Sequence, residues 1–210
     1  MRLRQDGFRC IFRAEAEGEM SILAKSEILK EIEGGRIRID PFDPSCVGPA
    51  SVDLHLADVF RVFKSIRRPV PVTEECHYKE VTEGVRIPQG GKLLLMPGET
   101  VLGMTAEKIS LPDDVCGWLE GRSRFARMGL LVHISASFMQ PGIANHQVLE
   151  MSNFGPFPLE IVPGTAVCQF VFQRTSGRGA YRGGFAEQTP DLFLSDLNER
   201  ERKAPPEGGR

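Results

Sequence analysis

Turn signals recur so often along this chain that few long helices can fit between them. Pro97-Gly98, Pro112-Asp113-Asp114, Pro141-Gly142, Gly155-Pro156 and Pro163-Gly164 each bound a short run of β-type residues. Those runs are SVDLHL (51–56), VFRVF (59–63), KLLLM (92–96), TVLGMT (100–105), VCGWLE (115–120), LLVHIS (130–135), HQVLEMS (146–152), LEIV (159–162) and AVCQFVF (166–172). In SVDLHL, Val52, Leu54 and Leu56 alternate onto one face, the period of a half-buried strand. Proline fixes φ and lacks an N–H, and glycine reaches positive φ, so such dipeptides end strands rather than continue them. The helices that alternate with strands in an α/β sheet are missing. The pattern predicts an all-β fold, a sandwich, jelly roll or β-barrel. One helix is expected, over Ser21–Ile32, where Ile22, Leu23, Ile28, Leu29 and Ile32 fall on one helical face before Gly34 and Gly35.

A length of 210 residues suits one β domain, placed here at 20–190. Residues 1–19 read as a disordered extension, with Met20 opening the folded part, and 191–210 as a flexible, charged and Gly/Pro-rich tail. The net charge of −2 offers no broad electrostatic grip on nucleic acid or an anionic membrane. Five cysteines with no CxxC pair argue against a disulfide framework or a cysteine zinc site and fit a reducing cytoplasm. No stretch approaches the ~20 apolar residues of a membrane span, and the N-terminus lacks the apolar core of a secretory signal.

Chemistry concentrates between Gly121 and Asn153. Arg122, Arg124 and Arg127 surround Ser123, and forked guanidiniums beside a hydroxyl suit phosphate oxygens. A solvated basic turn fits that spacing equally well. Glu150 sits within the apolar run VLEM, on the strand face opposite Leu149 and Met151. Such a Glu is more often simply solvent-facing; the sharper alternative is a cleft carboxylate set for proton transfer. His55, His77, His133 and His146 are scattered, and the His-x-Glu and Pro-Cys-x-x-Cys elements of zinc deaminases are absent. So are a Walker phosphate loop, a dinucleotide fingerprint and a G-x-S-x-G elbow.

The run GRSRFARMGLLVHISASFMQPGIANHQVLEMSNFG resembles the central motif of dCTP deaminases, members of the trimeric dUTPase-related superfamily. The upstream GRIRIDPFDPSCVGPASVDLHLADVF and the downstream PGTAVCQF are similar to the family's opening and closing segments, so the resemblance spans about Met20 to Gln188. It implies a distorted jelly-roll or barrel of the dUTPase-like type with a short N-terminal helix, and a homotrimer with sites between subunits. It implies that Glu150 is the catalytic proton shuttle, Ser123 helps hold the nucleophilic water, and Arg127 lies beside the glutamate and substrate. Arg122 and the stretch through Arg124, Phe125 and Ala126 match the phosphate-binding segment, and Ala136 matches a residue beside the cytosine. Val148 and Leu149 match backbone positions that read the base edge. Tyr181 and Gln188 match tail residues that fold over the nucleotide, at a shorter spacing. The ligands implied are dCTP and dUTP, dTTP as an inhibitor, and Mg²⁺ carried by the substrate triphosphate; zinc is not expected.

Four positions depart from the family pattern. Gln140 replaces the aspartate before Pro-Gly, Asn145 the glycine three residues after that Pro-Gly, Arg124 the second serine, and Ser135 the threonine before Ala136. A neutral amide at 140 cannot serve as a base. Bulky Ile134 stands where bifunctional relatives often carry a small or polar residue. The expectation is therefore deamination of dCTP to dUTP and ammonia. The alternatives are a bifunctional enzyme giving dUMP and diphosphate, and a non-catalytic nucleotide-binding member.

Overall fold

A computed structural model describes residues 21–196. In chain order the elements are α1 (Lys25–Glu33), β1 (Arg38–Asp40), a 3₁₀ turn (Pro44–Cys46), β2 (Val52–His55), β3 (Val59–Phe63), α2 (Tyr78–Val81), β4 (Thr82–Arg86) and β5 (Leu93–Leu95). They continue with β6 (Thr100–Ser110), β7 (Val115–Gly121), α3 (Ser123–Ala126), β8 (Leu130–Leu131), β9 (Phe138–Met139), β10 (Ala144–Asn153), β11 (Leu159–Ile161), β12 (Ala166–Arg174) and α4 (Pro190–Leu194).

Three sheets form, antiparallel in every pair. The largest runs β4-β3-β6-β10-β8, the second β2-β12-β7-β9, and β11 pairs with β5 alone. The 11 residues of β6 give it room for three partners. On one edge it takes β3 near its start (Arg61 opposite Leu102) and β1 near its end (Arg38 opposite Ser110). Its other edge carries β10. Alternation then builds the core: Val101 and Ile109 from β6 and Leu149 and Met151 from β10 meet Val52, Leu54, Leu119 and Phe170 of the second sheet. Each such side chain withdrawn from water contributes about 1.5–3 kcal/mol. Phe170 and Phe172 add a tilted ring contact at 4.6 Å between centroids. The sheets share this core without closing into a continuous barrel, so the jelly-roll form of the expectation is the one realised.

Part of the outer face of the large sheet is covered too. Val59, Met104 and Phe193 are fully buried there, with Tyr78, Leu102 and Val148 packed around them. Phe193 comes from α4, whose start is set by Pro190 and by Thr189, which accepts the Leu192 N–H at 3.3 Å. Its last turn is gathered by Arg61, fully buried in β3. That guanidinium donates to the carbonyls of Phe193 (2.6 Å), Leu194 (3.2 Å) and Ser195 (3.0 Å), and to Thr82 Oγ1 (2.8 Å). Lys79 Nζ adds a bond to the Leu192 carbonyl at 2.7 Å. Cations at a helix C-terminus complement its partial negative charge.

Several sequence expectations need correction. The helix begins at Lys25, because Ile22 instead bridges to Gln173 at the end of β12. The strand expected over 130–135 stops at Leu131; beyond it the backbone turns away from the ladder to serve a side chain, described below. Residues 191–195, expected to open a flexible tail, are helix and its cap. The expectations for residues 1–19 and 197–210 lie outside the described residues.

Gly117 in β7 marks the tightest packing. A β-carbon there would collide with the Phe170 ring and the Val171 carbonyl. Gly117→Ala is expected to destabilise the fold by about 1–3 kcal/mol, the usual cost of overpacking, seen as a lower urea midpoint at unchanged slope; an unchanged midpoint would contradict this packing.

Candidate active site

β10 presents different chemistry on its two faces. Leu149 and Met151 are fully buried in the core, so Val148 and Glu150 face the other way. Val148 is covered by the outer cluster, whereas the Glu150 side chain retains 27% exposure. Opposite it runs the segment after β8. Ser135 turns both donors onto one carboxylate oxygen: its N–H lies 2.8 Å and its hydroxyl 3.0 Å from Glu150 Oε2. His133 Nδ1 lies 3.7 Å from the same oxygen.

These contacts set the charge. Burial alone pushes the Glu150 carboxyl upward. The Ser135 amide and hydroxyl, the nearby His133 and the Ala136 backbone together outweigh it and hold the group below its ordinary range. Burial pushes His133 downward, against the smaller opposing pulls of Glu150 and the Val148 backbone. The His133 side chain is only 3% exposed, and among the described residues its Nδ1 has no hydrogen-bond partner. The site therefore pairs an ionised carboxylate with an imidazole biased to neutrality. An ionised carboxylate within reach of solvent can accept a proton and return it.

The arginine motif folds into the one-turn helix α3 and divides its cations. Arg122 points back into its own chain, donating to the Ala166 carbonyl at 2.8 Å and pairing with Asp53 at 2.9 Å. Phe125 packs against the core, and Ser123, Arg124, Ala126 and Arg127 are exposed. Among the described residues, no hydrogen bond or ion pair engages the side chains of Ser123, Arg124 or Arg127. Glu150 takes its partners from Ser135 and His133, and among the described residues no hydrogen bond or ion pair of one chain joins it to Ser123 or Arg127.

The other predicted residues divide in the same way. Ala136 is exposed and its backbone adjoins Glu150, while Leu149 lies beside Glu150 on the strand. Gln140 is exposed just before the Pro141-Gly142 turn, and Ile134 is 51% exposed between His133 and Ser135. Tyr181 and Gln188 reach the start of β10 instead: Tyr181 donates its N–H to the Pro141 carbonyl at 2.9 Å, and Gln188 Nε2 donates to the His146 carbonyl at 3.0 Å. Sequence reasoning missed the functional contacts of His133, Ser135 and Asp53. The i, i+2 spacing of His133 and Ser135 in V-H-I-S-A and the outward position of Asp53 in SVDLHL mark these residues, but neither pattern names a partner. Among the described residues no group of three or more His, Cys, Asp or Glu gathers as a metal-ligand set.

Comparison with known proteins places the chain in a family. A family model described as dCTP deaminase-like fits residues 22–175. A "dCTP deaminase, dUMP-forming" of Kocuria rhizophila is 37% identical over 185 residues, spanning 84% of this chain and 96% of that protein. One of Streptomyces griseus is 42% identical over 159 residues, spanning 74% and 81%. The fold is shared with a 2'-deoxycytidine 5'-triphosphate deaminase from Agrobacterium tumefaciens, with a TM-score of 0.58 and 21% identity over 74% of this chain and 48% of that one. With a family model covering most of its described length and relatives this similar across nearly their full span, the chain belongs to the dCTP deaminase-like family.

Proposed function

We propose that this protein deaminates dCTP hydrolytically, with Glu150 as the proton shuttle. The observation that carries the reading is the Ser135 clamp, which keeps Glu150 ionised on the uncovered part of the outer sheet face. Glu150 takes a proton from water as hydroxide attacks C4 of the cytosine ring, and passes it to the adjacent ring nitrogen; it then takes the proton of the new C4 hydroxyl and delivers it to the amino group, which leaves as ammonia. One carboxyl serves as base and then acid because both events occur at the same carbon. Exposed Arg124 and Arg127 supply charge for the triphosphate; Mg²⁺, when bound, shares that charge through substrate oxygens.

We further propose a homotrimer in which each pocket draws on two chains. Two observations support this: α3 leaves Ser123, Arg124 and Arg127 unengaged, and an apolar patch adjoins it. Met128 (45% exposed), Leu131 (38%) and Phe154 (82%) lie on the segments joined where the Phe154 N–H bonds the Gly129 carbonyl. Ser123 and Arg127 would then complete a neighbour's Glu150.

For the product, the names of the relatives favour dUMP over the dUTP expected from Gln140 and Ile134. Deamination followed by cleavage of the triphosphate is accordingly the leading reading. Release of dUTP is the second, supported by the neutral amide at 140.

Glu150→Gln is expected to lower deamination by about 10²–10⁴-fold or more, measured as ammonia release, with the fold intact by circular dichroism; near-wild-type turnover would remove Glu150 from the mechanism. The base works only when ionised, and its carboxyl is held low. Activity should therefore persist below the usual carboxylate range and fail only as pH drops through the depressed value. Ser135→Ala removes one stabilising bond, so the acid limb of kcat/KM should move to higher pH; an unmoved limb would separate Ser135 from Glu150's charge. Wild type with dCTP and Mg²⁺ should release diphosphate and ammonia in a ratio near one if dUMP forms. A ratio near zero with robust ammonia release would establish dUTP as the product instead.

A further inference from the structure

The C-terminal segment 181–188 is fastened to the start of β10 by a side chain that departs from the family pattern. Asn145 is 5% exposed, and its Nδ2 donates to the Phe185 carbonyl at 2.6 Å. Its Oδ1 accepts from Gln147 Nε2, also at 2.6 Å, so Gln147 fixes which way the amide faces. Gln147 is itself 4% exposed, and its N–H donates to Thr105 Oγ1 at 2.9 Å, where the pairing of β10 with β6 shifts register between His146 and Val148. Beside this pair, Gln188 closes a two-way bridge with the His146 backbone: the His146 N–H reaches the Gln188 carbonyl at 3.2 Å, and Gln188 Nε2 returns to the His146 carbonyl. A glycine at 145 supplies no donor for Phe185. The same glycine would leave Gln147's amide only its longer bond to the residue 145 carbonyl, 3.3 Å against the 2.6 Å bond it would lose.

We propose that Asn145, oriented by Gln147, is a positioning residue that keeps residues 181–188 docked on β10 before any nucleotide arrives. Docking holds Tyr181 against the Pro141-Gly142 turn, next to Gln140. A segment already in place adds no ordering cost when substrate binds, so loosening it weakens binding rather than chemistry. This kinetic consequence rests on the dCTP deaminase reading; the docking itself does not.

The test uses the full-length wild-type chain with Asn145→Asp and Asn145→Gly. Hydrogen–deuterium exchange of the free proteins reads the His146 and Tyr181 amides, both of which pair across the docking contact. Exchange at both should speed up by roughly three- to thirtyfold, the equivalent of one lost buried hydrogen bond, while amides within β12 are unchanged. Asn145→Asp keeps the volume but turns an oxygen toward the Phe185 carbonyl, so it should exceed Asn145→Gly; a space-filling role alone predicts the reverse order. KM for dCTP should rise by a similar factor with kcat within about twofold, since the ordering cost falls on binding. Unchanged protection in both variants overturns the proposal, as does loss confined to kcat. Should Asn145→Asp disturb the whole sheet, Asn145→Gly decides alone: faster exchange at His146 and Tyr181 supports docking, and wild-type exchange refutes it. Wild type that yields no ammonia would defeat the deaminase reading and leave the exchange result to judge the docking.

Discussion

The pairing of β6 with β10 governs where every candidate group points. Because strand side chains alternate, seating Leu149 and Met151 in the core commits Val148 and Glu150 to the outer face. A slip of one residue would bury the carboxylate and expose two core side chains, so the same apolar contacts that hold the sheet also specify the site. The register shift after His146 loosens the ladder at one place only, and there the backbone and side chains turn to the C-terminal segment.

Electrostatics at the site are built locally. Glu150 is stabilised by a backbone amide and a hydroxyl from one residue, both fixed by a short loop, rather than by a buried cation. Carboxylates held by such donors remain charged without a permanent counter-ion occupying the place a substrate needs. The arginines of α3 are partitioned instead. Arg122 is bound into the sheet through Asp53 and Ala166, which anchors the helix start and leaves the next two guanidiniums facing outward. Among the described residues no ion pair joins the carboxylate to those two guanidiniums within one chain.

Much of this fold was legible because period-two patterning and Gly/Pro turns are strong local signals, as in SVDLHL and in the HQVLEMS run around Glu150. Strands such as Arg38–Asp40 and Thr82–Arg86 were not legible, because their charged or glycine-containing residues carry no apolar alternation and they form only by pairing with β6 and β3. LLVHIS misled in the opposite sense: it is apolar enough for a strand, yet past Leu131 its donors serve Glu150, a tertiary partner that no local pattern encodes. The role of Asp53 was hidden for the same reason, since only the folded chain brings it to Arg122. The DLFLS turn of α4 was passed over because its surroundings are polar, although Phe193 is fully buried.

Arg61 has a consequence for how the molecule is made. Its guanidinium lies fully buried in β3, and the carbonyls that receive it, beginning with Phe193, are 132 residues further along the chain. During synthesis from the N-terminus, β3 leaves the ribosome long before those acceptors exist. A buried cation lacking them is costly, so the outer face of the sheet stays wet until the end of the described chain has emerged. The helix at Pro190–Leu194 thus works as a keystone for the nascent protein, and the sheet that carries Glu150 matures only after that segment has emerged.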